Sequence, residues 1–278
     1  MKTTTRAMLA AATLLAAPLL ARAQDRLHLF AAGSLTGAMT EALAQSGIPA
    51  ASVAPPVFGP SGFLRGRIEH GAPADILASA DMQQPRRLAA ERGNRPVLMF
   101  AKNRMCALAR RSLAVTPANL LGRMLDPKLR LATSTPGSDP GGDYAWAVFA
   151  RAEALHPGAQ ATLQAKALKL VGGPATKPLV PGHGQVQGVF LADKADLMLG
   201  YCSGAADVMR DVPGLAFIPL PPDLTVGPAY GMVVLTDRPL ADRFATFVMS
   251  ERGQAILARH GFVPVATPPD PAAGAPPR

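Results

Sequence analysis

The sequence predicts an α/β fold built on a parallel sheet, and two observations carry that prediction. Apolar runs of strand length recur at residues 27–31, 52–58 and 75–79, with helical spacing at 36–44 and 63–70 between them. Short breaker clusters punctuate the alternation: Ser46-Gly47-Ile48-Pro49 ends the first helix and Gly71-Ala72-Pro73 the second.

The alternation continues beyond Pro96. Residues 97–100 and 104–109 read as extended, 119–125 as a short helix and 129–133 as a strand. A longer helix is expected at 143–154 and another at 186–192, followed by a buried strand at 197–201. Further strands fall at 215–219 and 231–235, and helices at 240–249 and 251–260 close the pattern. The Gly/Pro-rich stretch 171–185 reads as a surface loop, because the α/β pattern resumes on both sides of it. Residues 267–278 are rich in Pro and Ala and are expected to be a disordered tail. No repeat of solenoid period is present.

The first 23 residues have the layout of a secretory signal. Lys2 and Arg6 precede an apolar stretch from Met8 to Leu20, and Ala21-Arg22-Ala23 forms a small-x-small cleavage site. Pro18 interrupts the stretch, which is shorter than the roughly 20 residues a spanning helix needs. The mature chain would begin at Gln24 and has room for one large domain or two lobes. Losing Lys2, Arg6 and Arg22 takes the formal charge from +9 to +6. The basic residues are scattered, with only short pairs such as Arg86-Arg87 and Arg110-Arg111, which argues against a nucleic-acid partner. A mild positive field of this kind would instead steer small anions. Cys106 and Cys202 permit one disulfide in an exported chain, or two unpaired buried thiols.

Two strand-to-helix turns share a design. Ser34 follows the first strand and Ser61 the second, each just ahead of a helix. In an open α/β sheet such turns sit at the carboxyl ends of the strands, where ligands bind. The helix N-terminus offers unpaired N–H groups and a partial positive charge, and a serine hydroxyl adds a donor. Each serine could equally do no more than cap its own helix. A third connection, Thr133-Ser134-Thr135-Pro136-Gly137-Ser138-Asp139-Pro140-Gly141-Gly142, is rich in hydroxyls and glycines and leads into the helix at Asp143. His28, His70, His156, His183 and His260 have no ligand spacing and no Cys-x-x-Cys is present, so no metal site is expected. A hydrolytic triad of Ser34 or Ser61 with His183 and an aspartate lacks the Gly-x-Ser-x-Gly elbow, and an enzyme is not expected.

Three strings carry a resemblance: Ala31-Ala32-Gly33-Ser34-Leu35-Thr36, then Phe58-Gly59-Pro60-Ser61-Gly62, then residues 71–81 from Gly71 to Asp81. They resemble the periplasmic molybdate-binding proteins of ABC transporters. Pro140-Gly141-Gly142-Asp143-Tyr144-Ala145, Val186-Gln187-Gly188, Gly200-Tyr201 and the closing Arg259-His260-Gly261-Phe262 follow in that family's order. The likeness spans about residues 27–264. It implies a two-lobed periplasmic binding protein fold of the type II kind, with the ligand cleft between the lobes. Lobe 1 would comprise 24–101 with 232–266, and lobe 2 would comprise 102–231. The crossing strands would lie near residues 101–106 and 230–233.

The resemblance also implies a site of neutral donors. These are the hydroxyls of Ser34 and Ser61 from one lobe, and from the other the backbone N–H groups near Gly141 and Val186 with the Tyr201 hydroxyl. The ligand would be molybdate or tungstate, the runner-up being another anion such as sulfate or an organic acid. No cofactor is implied. The partner would be the membrane permease of an ABC importer, and the protein a periplasmic monomer. A Cys106–Cys202 bridge is expected within lobe 2. The sequence departs from the pattern at Pro60, which lacks an N–H, at Gly141, where a relative has alanine, and in a longer connection before Val186 that brings in His183. A histidine beside an anion could tune affinity with pH. Iron-binding proteins of this architecture commonly use adjacent tyrosines, whereas Tyr144, Tyr201 and Tyr230 are far apart in this sequence.

Overall fold

The computed structural model describes residues 26–266, so the expected signal segment 1–23 and tail 267–278 lie outside the described residues. The first strands and helices follow the breaker pattern. Strand β1 (Leu29–Ala32) leads through a short 3-10 turn (Gly33–Leu35) into helix α1 (Thr36–Gln45). Strand β2 is only Val57–Gly59, shorter than the expected 52–58. Pro55 and Pro56 lack the N–H groups a ladder needs, so the stretch before them makes only a 3-10 turn and an isolated bridge from Val53 to Leu27. Helix α2 (Ser61–Glu69), strand β3 (Ile76–Ser79) and helix α3 (Gln83–Glu91) follow. The sequence reading missed α3. Its start is marked by Asp81, whose Oδ1 accepts the Gln84 N–H at 3.0 Å.

Strand β4 (Val97–Lys102) stays in the first sheet, and β5 (Met105–Arg110) begins the second. Helix α4 (Leu120–Leu125), strand β6 (Leu131–Ser134), helix α5 (Pro140–Leu155), helix α6 (Ala159–Lys166) and strand β7 (Leu168–Val171) come next. The sequence reading assigned neither α6 nor β7. After the loop 172–184 come helix α7 (Gln185–Leu191), strand β8 (Leu197–Tyr201), helix α8 (Ala205–Asp211) and strand β9 (Leu215–Pro219). Strand β10 (Ala229–Val234), helices α9 (Pro239–Met249) and α10 (Glu251–Arg259), and strand β11 (Val263–Pro264) complete the chain.

Two mixed sheets result. The first runs β11-β4-β10-β3-β1-β2 and the second β7-β6-β8-β5-β9. The expected parallel pairing holds for β2-β1-β3 and β7-β6-β8, while β10, β4 and β11 pair antiparallel, as do β8-β5-β9. Each sheet has helices and an apolar core on both faces, Leu29, Leu35, Met39 and Phe244 against Phe30, Leu64 and Leu77 in the first, and Leu131, Val148 and Phe149 against Leu108, Val189 and Met198 in the second. Each such leucine or phenylalanine contributes about 1.5–3 kcal/mol by leaving water.

The chain crosses between sheets twice. The outward crossing, at Asn103-Arg104, falls within the expected 101–106. The return runs over residues 220–228, because Ala229 and Tyr230 already pair with Lys102 and Ala101 in the first sheet. This places it ahead of the expected 230–233. Antiparallel β5 and β8 set Cys106 opposite Gly200, and Cys202 follows directly, with 5.2 Å between the two cysteine Cα atoms. The two are bridged, a geometry a disulfide accepts. Closing a loop with a sequence separation of 96 removes about 4–5 kcal/mol of unfolded-chain entropy in the chain-entropy picture. Among the described residues no helix is long and apolar enough to cross a membrane.

Candidate functional site

Parallel pairing puts the carboxyl ends of β1, β2 and β3 on one edge of the first sheet. Ser34 stands in the turn beyond β1. Ser61 opens α2 just beyond β2 and is 0 % exposed. The Ser61 Oγ accepts the Ala80 N–H at 3.1 Å, so its own proton is left to be donated elsewhere. Ser34 Oγ lies 3.0 Å from Tyr230 Oη, which also accepts from Asn103 Nδ2 at 3.1 Å. Neither serine acts as an N-cap through its side chain: α1 and α2 follow Leu35 and Pro60, and neither cap position carries a side-chain bond.

The facing wall comes from the carboxyl ends of β6 and β8. Tyr201 ends β8 with its hydroxyl buried and without a hydrogen-bond partner, although the ring keeps part of its surface exposed. Its ring meets Tyr230 edge-on at 5.7 Å and Tyr144 at 6.3 Å. The three tyrosines that sequence distance kept apart therefore converge between the sheets.

Helix α5 begins at Pro140, three residues earlier than expected, because Asp139 caps it and Pro140 pre-sets the first turn. Asp139 Oδ1 accepts the Gly141 N–H at 2.9 Å, so the donor expected of Gly141 is occupied by its own cap. Gly142 packs so closely on the turn that an added Cβ would lie 2.4 Å from Pro136 N. Val186 is the second residue of α7. Its N–H precedes the first helical bond of that turn, from Gly188 to Gly184 at 2.9 Å. His183 is exposed on the loop before it, with its N–H on Val180 O at 3.3 Å.

The walls touch at Gly62, whose N–H donates to Ser138 O at 3.0 Å across the cleft. A Cβ on Gly62 would meet Gly137 O at 2.7 Å, so the approach requires glycine. The C-terminal signature wraps the same region from behind. His260 pairs with Glu41 at 2.8 Å, Gly261 adopts a φ of +81° against the Ser203 backbone, and Phe262 packs edge-on to Tyr230 at 5.3 Å.

Burial dominates the electrostatics. It raises the Tyr201 phenol well above its ordinary value, and the Tyr230, Asp139, Tyr144 and Asp81 groups push it further. Burial likewise raises Tyr230 and pushes Tyr144 up to about 12. All three are neutral phenols in the ligand-free chain at physiological pH, suited to donate hydrogen bonds. Burial also raises the Asp139 carboxyl, against the lowering by the Gly141 N–H and the Ser134 hydroxyl. Among the described residues no group of His, Cys, Asp and Glu is placed to hold a metal ion.

Sequence reasoning missed Asp139, Gly62, Tyr230 and Asn103. The Asp139-Pro140 pair is a legible cap signature. Tyr230 and Asn103 carry no local signal, because their partners are 127 and 196 residues away.

The sequence profile of the bacterial extracellular solute-binding proteins matches residues 27–263. An uncharacterized protein of Pasteurella multocida (strain Pm70) is 33% identical over 208 residues, which covers 74% of this chain and 86% of that protein. Among solved structures, the periplasmic molybdate-binding protein of Azotobacter vinelandii superposes with a TM-score of 0.67 at 19% identity, covering 86% of this chain and 99% of the other. The sulfate-binding protein SubI of Mycobacterium tuberculosis H37Rv gives 0.66 at 19% identity, covering 89% and 88%. At such identities the likeness to these two is one of fold, and the fold is that of a two-lobed periplasmic binding protein. With the profile spanning nearly all of the described residues, the chain belongs to the bacterial extracellular solute-binding proteins.

Proposed function

We propose that this solute-binding protein captures a tetrahedral oxyanion, molybdate or tungstate, and delivers it to the membrane permease of an ABC importer. Its working form would be a periplasmic monomer of two lobes, divided at Asn103-Arg104 and over residues 220–228. The observation that carries the reading is a pair of neutral O–H donors, one on each wall. Ser61 has its acceptor position filled by Ala80, and the Tyr201 hydroxyl is buried with no partner. Donors without acceptors suit a ligand that offers only lone pairs, and a fully deprotonated tetrahedral dianion is such a ligand. Ser34 joins Ser61 on the first wall, and the Val186 N–H joins Tyr201 on the second. The Gly141 N–H is held by Asp139.

A thermal-shift panel with chelator present tests the reading. Molybdate or tungstate should raise the melting temperature by mass action. No shift from either at millimolar concentration, with a clear shift from an organic acid, would contradict it. One observation favours that second reading. A pocket of about 670 Å³ opens beside Ser61 and Gly62, between α2 and the turn 135–138, with Phe63, Arg67, His70 and Pro174 among its lining. An anion bearing an organic substituent could place the substituent there, so the panel should include phosphorylated organic acids.

A further inference from the structure

We infer that Asn103 and Tyr230 are positioning residues that fix Ser34 as a hydrogen-bond donor to the cleft. The inference rests on the oxyanion reading and adds two residues to it, Asn103 on the outward crossing and Tyr230 in β10 just after the return.

Asn103 lies on the outward crossing and is 2 % exposed. Its N–H donates to Pro228 O at 2.8 Å, which ties the outward crossing to the return. Its Oδ1 accepts the Arg104 N–H at 2.8 Å. A backbone N–H can only donate, so this bond fixes which end of the amide is oxygen. The other end, Nδ2, therefore donates, to Ser203 Oγ at 2.9 Å and to Tyr230 Oη at 3.1 Å.

Direction then propagates along the chain of bonds. Tyr230 Oη accepts from Asn103, and its own proton needs an acceptor, because Tyr230 is fully buried. Among the described residues its other hydrogen-bond partner is Ser34 Oγ, 3.0 Å away. Tyr230 donates to Ser34, the acceptor side of Ser34 is filled, and the Ser34 proton is left for the cleft. The opposite order, with Ser34 donating to Tyr230, would leave the tyrosine proton buried without a partner. Ser34 thus reaches by a relay the state that Ser61 reaches through the Ala80 N–H.

Asn103→Asp tests the direction, because it keeps the shape and reverses the polarity. One oxygen of the introduced carboxylate still accepts from Arg104, while the other accepts where Nδ2 donated. Tyr230 then donates to that carboxylate, Ser34 donates to Tyr230, and Ser34 turns lone pairs toward the cleft. Titration calorimetry with molybdate, on wild type, Asn103→Asp, Tyr230→Phe and the double variant, reads the coupling as a double-mutant cycle. Asn103→Asp should weaken binding by about tenfold or more, a drop of at least about 1.4 kcal/mol. Tyr230→Phe should weaken it less, because Ser34 is then free to turn. In the Tyr230→Phe background the Asn103→Asp change should lose most of its effect. A charge acting through space would weaken binding equally in both backgrounds, and that additive result overturns the relay. Should Asn103→Asp not fold, Asn103→Ala in the same two backgrounds gives the same test, with a few-fold loss that disappears once Tyr230→Phe is present. Wild-type protein that binds none of molybdate, tungstate and sulfate overturns the oxyanion reading and the relay together, whereas wild-type binding with an additive cycle overturns the relay alone.

Discussion

On the first-lobe wall the serine oxygens are engaged before any ligand arrives. Ser61 accepts from Ala80 and Ser34 is bonded to Tyr230, so both hydroxyls are held in place by the fold. On the second-lobe wall the Tyr201 hydroxyl is buried with no partner, and the start of α5 spends its Gly141 N–H on the Asp139 carboxyl group. On one wall each hydroxyl is already held by a bond within the fold, while on the other the Tyr201 hydroxyl makes none. A ligand that supplies that missing bond from between the walls would favour the arrangement in which they meet, which is the differential affinity needed to shift a population.

Ser61→Ala should separate the walls most sharply. It removes a donor and also orphans the buried Ala80 N–H, so it should weaken anion binding about ten- to a hundredfold and cost about 1–3 kcal/mol of stability. Calorimetry and denaturant unfolding would read the two effects. Tyr201→Phe should weaken binding by a similar factor, yet leave the ligand-free melting temperature unchanged or raised, because the hydroxyl it removes bonds to nothing. A clear fall in stability would show that Tyr201 is satisfied elsewhere and erase the contrast.

Gly62→Ala probes the line where the walls meet. Its Cβ would press on Gly137 O at 2.7 Å and Ser138 O at 2.9 Å, so the two walls could no longer meet as closely as they do. Affinity should fall by about tenfold, chiefly through faster release, which stopped-flow would resolve.

The smallest effect is the pH dependence of Asp139. Burial holds its carboxyl above its unfolded value, so the folded chain binds more protons there than the unfolded chain. This group's contribution to stability is complete below the unfolded value and is lost as pH rises through the folded one. Asp139→Asn keeps the cap and removes that loss. The variant should melt above wild type at neutral pH, and the difference should shrink as the solution is made acidic.

The two walls also differ in how far the sequence reveals them. Ser34 and Ser61 stand in strand-turn-helix units whose parts are adjacent in the chain, so spacing alone places them on one edge. Tyr201 could be located only through its strand and the family order. The orientation of Ser34 was not legible, since it depends on Asn103 and Tyr230 across 127 and 196 residues of chain. Three missed elements, α3, α6 and α8, are short helices of 7–9 residues with little apolar periodicity to mark them, and the Pro55-Pro56 pair cut a strand that apolar periodicity alone had extended.

Titration calorimetry of wild type and Tyr201→Phe, each against molybdate with chelator present, tests most directly that an oxyanion bridges the two walls. Wild type should bind one anion per chain, and Tyr201→Phe should bind it about ten- to a hundredfold more weakly while melting no lower than wild type without ligand. Equal affinity in the two proteins, or no binding in wild type, would contradict the account.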